Sequence, residues 1–177
     1  MRPVGLAVAA CVVAALAAGC NAGVMSSASA TGVSPAAAPD TISERPAKFG
    51  ERRTVSRGSL TVTVLAPKSF VPGNTAYPQS PRAVAFEVVL DNQGSRTYRP
   101  AQLVVKATGP AGNAVDPVVD KTQGYAGGVN ADAEVPPGKN IRVTFAFAVP
   151  ADPIDLTVTV QPDIAAAADR AEFEGTS

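Results

Sequence analysis

The sequence predicts an all-β domain built as an antiparallel β-sandwich. Apolar and polar side chains alternate in successive short segments from Ser59 onwards, a pattern typical of strands with one buried face. Turn-forming residues separate these segments, and none between Ser59 and Gln161 has a convincing helical period. Six or seven short strands without crossover helices favour two antiparallel sheets packed face to face. We therefore predict a sandwich domain over residues 58–162.

Four segments in the first part of the domain carry this alternation. They lie at 60–64, 84–90, 102–106 and 114–119. In the second of them every other residue is a large apolar one, which predicts a strand with one face in the core. The fourth contains Pro117, which lacks the backbone N–H that an inner strand must donate, so we predict an edge strand.

Two stronger segments close the domain. The run 141–149 alternates throughout, and 155–160 does the same up to Pro162. Residues 163–177 are predicted to form an acidic C-terminal tail. Within that tail, the alanine-rich stretch 164–173 favours a marginal helix, because it has helical propensity but only a thin apolar stripe.

The strand ends and turns of this domain resemble those of a known family. The relevant segments are the strand 84–90 with Asn-Gln-Gly at 92–94, and Pro-Gly at 137–138 before the strand 141–149. Together they resemble the uncharacterised Ig-like (telokin-like) domain of Gram-positive and actinobacterial lipoproteins, which is similar to a small secreted immunogenic protein of mycobacteria. The resemblance covers roughly 58–161. It implies an immunoglobulin-like sandwich and brings no catalytic residues with it.

The beginning of the chain has the layout of a secretory signal peptide. Arg2 precedes an apolar run at 4–18, and small residues lead up to Cys20. The run is rich in alanine and shorter than the roughly 20 residues that a membrane-spanning helix needs. We therefore predict that residues 1–19 are a cleaved signal peptide.

The cleavage site itself resembles the lipobox of bacterial lipoproteins. Residues 16–20 read Leu-Ala-Ala-Gly-Cys, and Ala17 stands where the family usually has a larger aliphatic residue. We predict that Cys20 is diacylated and holds the protein at the extracytoplasmic face of the cell membrane. The alternative is a plain secretory cleavage site at 15–17 or 28–30, with Cys20 unmodified.

Residues 20–57 are expected to form a flexible tether with a basic end. Small and polar residues without hydrophobic periodicity dominate the stretch 21–40, so it buries too little apolar surface to offset its chain entropy. Five basic residues follow: Arg45, Lys48, Arg52, Arg53 and Arg57. They either lie on anionic lipid headgroups or belong to a solvated linker.

Composition excludes several classes of function. Lys plus Arg and Asp plus Glu number 15 each, so no net field favours nucleic acid. Histidine is absent from all 177 residues, which removes Ser-His-Asp catalysis and the commonest zinc ligand. No Gly-x-Ser-x-Gly or Ser-x-x-Lys motif occurs. Cys11 would leave with the signal peptide, so no disulfide is expected. We predict neither catalysis, nor a metal, nor a cofactor.

Carboxylates are the remaining chemical resource. They lie in or beside the loop after the fourth strand: Asp116, Asp120, Asp132 and Glu134. Converging oxygen ligands could bind Ca²⁺, and two such acids could perform hydrolysis, but no Asp-x-Asp-x-Asp-Gly spacing is present. A solvated loop is the simpler interpretation. A small-ligand carrier or a hydrolase using residues 116–134 remains the alternative function.

Aromatic side chains outside the strands indicate a binding surface instead. Phe70 and Tyr77 flank the loop 72–81, and Tyr125 lies in the acidic loop. If the two loops meet, the three rings form a patch suited to an envelope protein or a wall component. Alternatively, the rings fold back and cover the end of the sandwich. We predict a binding module of the cell envelope that does not bind nucleic acid.

Overall fold

The computed structural model describes residues 45–56 and 59–177. The described residues form a β-sandwich with short 3₁₀ turns at Pro100–Gln102 and Lys121–Gln123. Its strands are β1 (Ala47–Lys48), β2 (Arg52–Val55), β3 (Leu60–Val64), β4 (Lys68–Phe70), β5 (Arg82–Asn92), β6 (Val104–Thr108), β7 (Ala114–Val115), β8 (Pro117–Val118), β9 (Asn140–Val149), β10 (Asp155–Gln161) and β11 (Ala171–Thr176).

Two sheets share these strands. One has the order β1-β11-β10-β6-β7, and the other has the order β2-β3-β5-β9-β8, with β4 also paired to β5. Neighbouring strands run antiparallel except β1, which pairs with β11 in parallel. The predicted fold class, an antiparallel Ig-like β-sandwich, is confirmed.

The core lies between the inner faces of the two sheets. On β5 the residues predicted to face inward are fully buried, and β9 and β10 contribute alternating residues in the same way. Phe86 of β5 packs edge-on against Phe147 of β9, with ring centroids 6.2 Å apart. Burying each such side chain stabilises the fold by about 1.5–3 kcal/mol, so the alternation itself selects this packing.

The segment around Pro117 changes sheets. Residues 114–119 were predicted as one strand, but β7 pairs with β6 in the first sheet and β8 pairs with β9 in the second. Asp116 lies between them, and its carbonyl oxygen accepts a hydrogen bond from the Ala148 N–H at 2.9 Å. The predicted edge position of Pro117 is confirmed, because β8 ends its sheet.

The end of the chain corrects the prediction of a marginal helix at 164–173. Residues 171–176 form β11, which pairs with six residues of β10 and lies between β10 and β1. Phe173 is fully buried in the core. Cross-strand hydrogen bonds and burial of this ring outweigh the helical propensity of the preceding alanines. The prediction of an acidic tail at 163–177 is therefore wrong, because residues 163–170 connect two strands and residues 171–176 are a strand of the sandwich.

The predicted tether, 20–57, also extends too far. Within it, β1 and β2 are strands of the sandwich, and Ala47 is fully buried. The Phe49 ring lies 5.1 Å from the Phe86 ring and so close to Gly175 that a Cβ there would be 2.6 Å from Phe49. Lys48 forms an ion pair with Glu174 at 2.8 Å. The predicted limits 58–162 are therefore too narrow at both ends.

The predicted signal peptide, Cys20 and the predicted tether up to residue 44 lie outside the described residues. Within 45–56 and 59–177, no helix has the length and apolarity required to cross a bilayer.

Replacing Phe173 with alanine tests the role of β11. We expect Phe173→Ala to lower the free energy of unfolding by about 3–5 kcal/mol, because it removes a ring from the core and leaves a cavity. The Glu172 side chain lies on the same strand and is partly exposed. Glu172→Ala should therefore lower the free energy of unfolding by about 1 kcal/mol or less. Urea denaturation of both variants provides the measurement, and equal losses would contradict a core role for β11.

Candidate functional site

The two loops flagged by the sequence meet in the fold. Residues 71–77 follow β4 and residues 119–125 follow β8, and we call the surface they form the loop platform. Tyr77 and Val119 exchange two backbone hydrogen bonds, of 2.9 and 2.8 Å. This pairing extends the sheet into the loops and fixes their relative position.

A buried carboxylate holds the platform together. Asp120 is fully buried, and its Oδ2 accepts hydrogen bonds from the Gly73 N–H at 2.8 Å and from Gln123 Nε2 at 2.9 Å. Its Oδ1 accepts from the Thr122 hydroxyl at 2.6 Å and from the Gln123 N–H at 3.3 Å. Burying a charge is costly unless its oxygens are satisfied, and here four donors satisfy them.

These donors also set the acidity of Asp120. The Thr122 hydroxyl and then the Gly73 N–H lower the pKa of Asp120 below its ordinary value, against the opposing effect of burial. The contacts leave little space, since a Cβ on Gly73 would lie 3.3 Å from Asp120 Oδ2. Gln123 Nε2 additionally donates to the Val71 carbonyl oxygen at 2.9 Å. Asp120 therefore acts as a structural clamp between the two loops.

Two of the three predicted aromatic residues contact each other. The Phe70 and Tyr125 rings have centroids 4.3 Å apart and pack on a small apolar cluster that includes Val118 and Ala146. Both rings are half-buried. Tyr125 and Asp120 exchange backbone hydrogen bonds of 2.8 Å. These two rings therefore cover this part of the sandwich, as the alternative interpretation of the sequence had it.

Tyr77 is different, because its side chain is 80% exposed. Val71, also on the loop platform, is 71% exposed. Among residues 45–56 and 59–177, only Ile164 is another large apolar side chain with comparable exposure. The loop platform thus presents two apolar side chains on a backbone fixed by hydrogen bonds. Sequence reasoning singled out Tyr77 and missed both Val71 and the role of Asp120.

The other loop acids lie apart and have separate contacts. Asp116 and Asp132 are exposed, and Glu134 forms an ion pair with Arg99 at 2.7 Å. Over the described parts of the chain, no three side chains among Asp, Glu, Cys and His come together as metal ligands would. The structure therefore does not bring Asp116, Asp120, Asp132 and Glu134 into one site.

A groove of about 490 Å³ lies at the other end of β5, where sequence reasoning predicted no site. Its lining comes from Ser56, Ser59 and Leu60, from the chain after β5 between Asn92 and Gln102, and from Pro162 and Asp163 after β10. Tyr98 lines the groove and donates a hydrogen bond to the Pro162 carbonyl oxygen at 2.9 Å. Burial, and then the nearby Asp163, raise the pKa of Tyr98 well above its usual value, so the phenol stays protonated.

Comparisons with known proteins agree with the fold. No protein-family model and no curated protein sequence matches this chain. The yjhA protein of Bacillus subtilis is similar with a TM-score of 0.51 and 16% identity, over 72% of this chain and 98% of that protein. The ycdA protein of Bacillus subtilis, provisionally described as a lipoprotein, has a TM-score of 0.56 and 9% identity. That match covers 73% of this chain but only 38% of the ycdA protein.

A secreted protein of Mycobacterium tuberculosis is also similar, with 18% identity and a TM-score of 0.48, over 76% of this chain and all of that protein. At these identities the likeness to the two Bacillus proteins establishes the sandwich fold and nothing about activity.

Neutralising the clamp tests its electrostatic role. We expect Asp120→Asn to lower the free energy of unfolding at pH 7, because the amide cannot accept from all four donors. The ionised form of Asp120 is the one favoured by folding, so its stabilising effect is present above the ordinary aspartate pKa of about 3.9. The effect is lost as the pH falls through the lower pKa of the folded protein.

The difference in stability between wild type and Asp120→Asn should therefore shrink between pH 7 and pH 2, as measured by urea denaturation. Asp116→Asn is the matched control, because the Asp116 carboxylate is exposed and makes no hydrogen bond to the described residues. A loss that is independent of pH, or an equal loss in Asp116→Asn, would show that Asp120 is not an electrostatic clamp.

Proposed function

We propose that this chain is a non-catalytic binding module, anchored through a lipid on Cys20 to the extracytoplasmic face of a bacterial cell membrane. Support for the location comes from the signal-peptide layout of residues 1–19 and the Leu-Ala-Ala-Gly-Cys motif at 16–20. The same fold in the ycdA protein, provisionally a lipoprotein, is in keeping with this proposal.

The loop platform is the observation that carries the binding role. Exposed apolar side chains on a rigid backbone lose little conformational freedom on binding, so more of the contact energy appears as affinity. Tyr77 offers a large apolar ring with a hydroxyl at its end, a combination enriched at the centres of interfaces. Asp120 and the Tyr77–Val119 pairing supply the rigidity.

The partner that best fits this surface is a protein of the cell envelope. Val71 is aliphatic and has neither a hydrogen-bonding group nor a ring for stacking on a sugar. An aliphatic side chain beside a tyrosine instead complements the apolar side chains of another protein. A wall glycan is the alternative occupant, which a crosslinking experiment distinguishes.

Hydrolysis by the loop acids has no comparable support. Asp120 has its oxygens fully occupied by internal donors, and Glu134 is paired with Arg99. Without histidine in the sequence, a carboxylate pair would have to supply both the acid and the base.

Lipid attachment is tested at the two cysteines. In the native host, Cys20→Ser should abolish incorporation of an alkyne fatty-acid analogue and release the protein from the membrane fraction. Cys11→Ser should keep both, because that thiol lies in the apolar run of the signal peptide. Equal labelling of wild type and Cys20→Ser would exclude the anchor.

The binding role is tested by crosslinking from the loop platform. A photoreactive amino acid at the exposed Thr75 is introduced into otherwise wild-type protein, and its crosslinked products are compared with those of Val71→Ser/Tyr77→Ser. The double variant should weaken partner capture by roughly tenfold or more, as expected for loss of a central interface tyrosine. Ile164→Ser removes an equally exposed apolar side chain elsewhere and should leave capture unchanged.

Circular dichroism confirms that each variant is folded. A crosslinked product whose added mass is removed by wall-degrading enzymes supports a glycan. A product that resists those enzymes and yields peptides of a second protein supports a protein partner. Capture that is unchanged in the double variant would overturn the role of the loop platform.

A further inference from the structure

Hydrogen bonds fix one wall of the groove beyond the end of β5, the loop that follows that strand. The buried Asn92 amide donates to the Arg96 and Val135 carbonyl oxygens at 2.7 and 2.8 Å and accepts from the Gly94 N–H at 3.0 Å. Gly94 also donates to the Ser59 carbonyl oxygen, which joins the loop after β5 to the turn before β3. This wall is therefore formed before any ligand binds, and the groove volume of about 490 Å³ lies in the range of small-molecule sites, about 300–1,000 Å³.

Much of the polar lining is already used within the protein. The Ser59 hydroxyl donates to the Ser56 carbonyl oxygen at 2.6 Å, and the Tyr98 hydroxyl donates to Pro162. Arg99 is neutralised by Glu134. These groups shape the groove but have little capacity left for a ligand.

Three other side chains that line the groove are not bonded to the rest of the described protein. Among the described residues, the Arg96 guanidinium makes no ion pair, and the Ser95 and Thr97 hydroxyls make no hydrogen bond. All three are consecutive and exposed to solvent on one wall. A guanidinium is suited to a carboxylate, which accepts two parallel hydrogen bonds from it, and the hydroxyls of the two neighbouring residues line the same groove.

An acid faces the same groove. Asp163 accepts a hydrogen bond from the Ala165 N–H through Oδ1, which leaves its second oxygen available to a ligand donor. It also opposes a second negative charge on the ligand, so a dianionic phosphate is disfavoured relative to a monoanion. The groove therefore provides one site for a carboxylate and another for a hydroxyl group.

The backbone at Ser56 is a second, independent indication. Ser56 lies in the groove wall with φ of 54°, and within the described residues it is the only non-glycine with positive φ. Its N–H donates to Asp169 Oδ1 at 2.5 Å, which helps to hold it in this conformation. Residues kept in a sparsely populated backbone region are concentrated at ligand sites, because the surrounding structure must maintain them.

We propose that this groove binds a small polyhydroxylated carboxylate, of the sugar-acid type, with its carboxylate on Arg96 and a hydroxyl group on Asp163. The site is separate from the loop platform. Residues 68–70 of β4 pair with the beginning of β5, whereas the groove lies at Asn92, and a strand rises about 3.3 Å per residue. The inference does not rest on the proposed function of the loop platform.

Three probes separate the parts of this proposal. Glucuronate carries the carboxylate and the hydroxyls, glucose carries only the hydroxyls, and acetate carries only the carboxylate. We expect glucuronate to bind at least tenfold more tightly than the other two at constant ionic strength, as followed by amide chemical shifts of residues 95–97. Inorganic phosphate should bind more weakly than glucuronate.

Two variants and a control assign the contacts. Arg96→Gln should weaken glucuronate binding about tenfold and abolish its advantage over glucose, and Asp163→Asn should abolish its advantage over acetate while keeping the Ala165 hydrogen bond. Lys106→Gln removes the same charge from an exposed position on β6 and should change nothing. Absence of glucuronate binding at 50 mM, or equal binding by wild type and Arg96→Gln, would overturn the proposal. The crosslinking result from Thr75 does not bear on either outcome.

Discussion

The structure depends on the pairing of β5 with β9. Ten residue pairs join the two strands, and four alternate pairs, from Val84–Phe147 to Leu90–Ile141, place apolar side chains between the sheets. A shift of one residue would turn every inward side chain outward, so the buried faces of both strands enforce a single register. β5 also pairs with β3 and β4, and the loop platform and the groove lie towards its opposite ends. One well-specified strand therefore positions both candidate sites.

Asp120 shows how such a framework supports an irregular surface. Among residues 45–56 and 59–177 no Lys or Arg forms an ion pair with this carboxylate, and backbone and side-chain dipoles supply the stabilisation that an ion pair would otherwise give. Dipolar donors fix geometry more closely than a flexible lysine or arginine does, because two of the four belong to the backbone. The loop around Tyr77 is thereby held in place over the small apolar cluster to which its own Ala76 belongs.

The sequence correctly predicted those strands in which apolar and polar residues alternate over the longest stretches. β5, β9 and β10 each repeat the apolar position at least three times, and their faces follow from that repeat. β11 offers only Ala171 and Phe173 before Gly175, directly after an alanine-rich stretch, so local propensity favoured the wrong structure there. The Asp120 clamp and the groove join residues far apart in sequence, such as Gly73 with Asp120 and Ser59 with Gly94, which no local pattern indicates.

The parallel pairing of β1 with β11 has a mechanical consequence. Ala47 lies opposite Phe173, and the next residues bond to both sheets, with the Phe49 N–H on Glu174 and the Gly50 N–H on Val64. If the preceding chain is pulled from a membrane anchor, the force enters along β1 and is shared by these bonds and by the Phe49 ring over Gly175. A force directed along a strand acts on all of its interstrand hydrogen bonds at once, so these bonds do not break one after another. If the proposed anchor is present, β1 would therefore resist tension on the chain that precedes it.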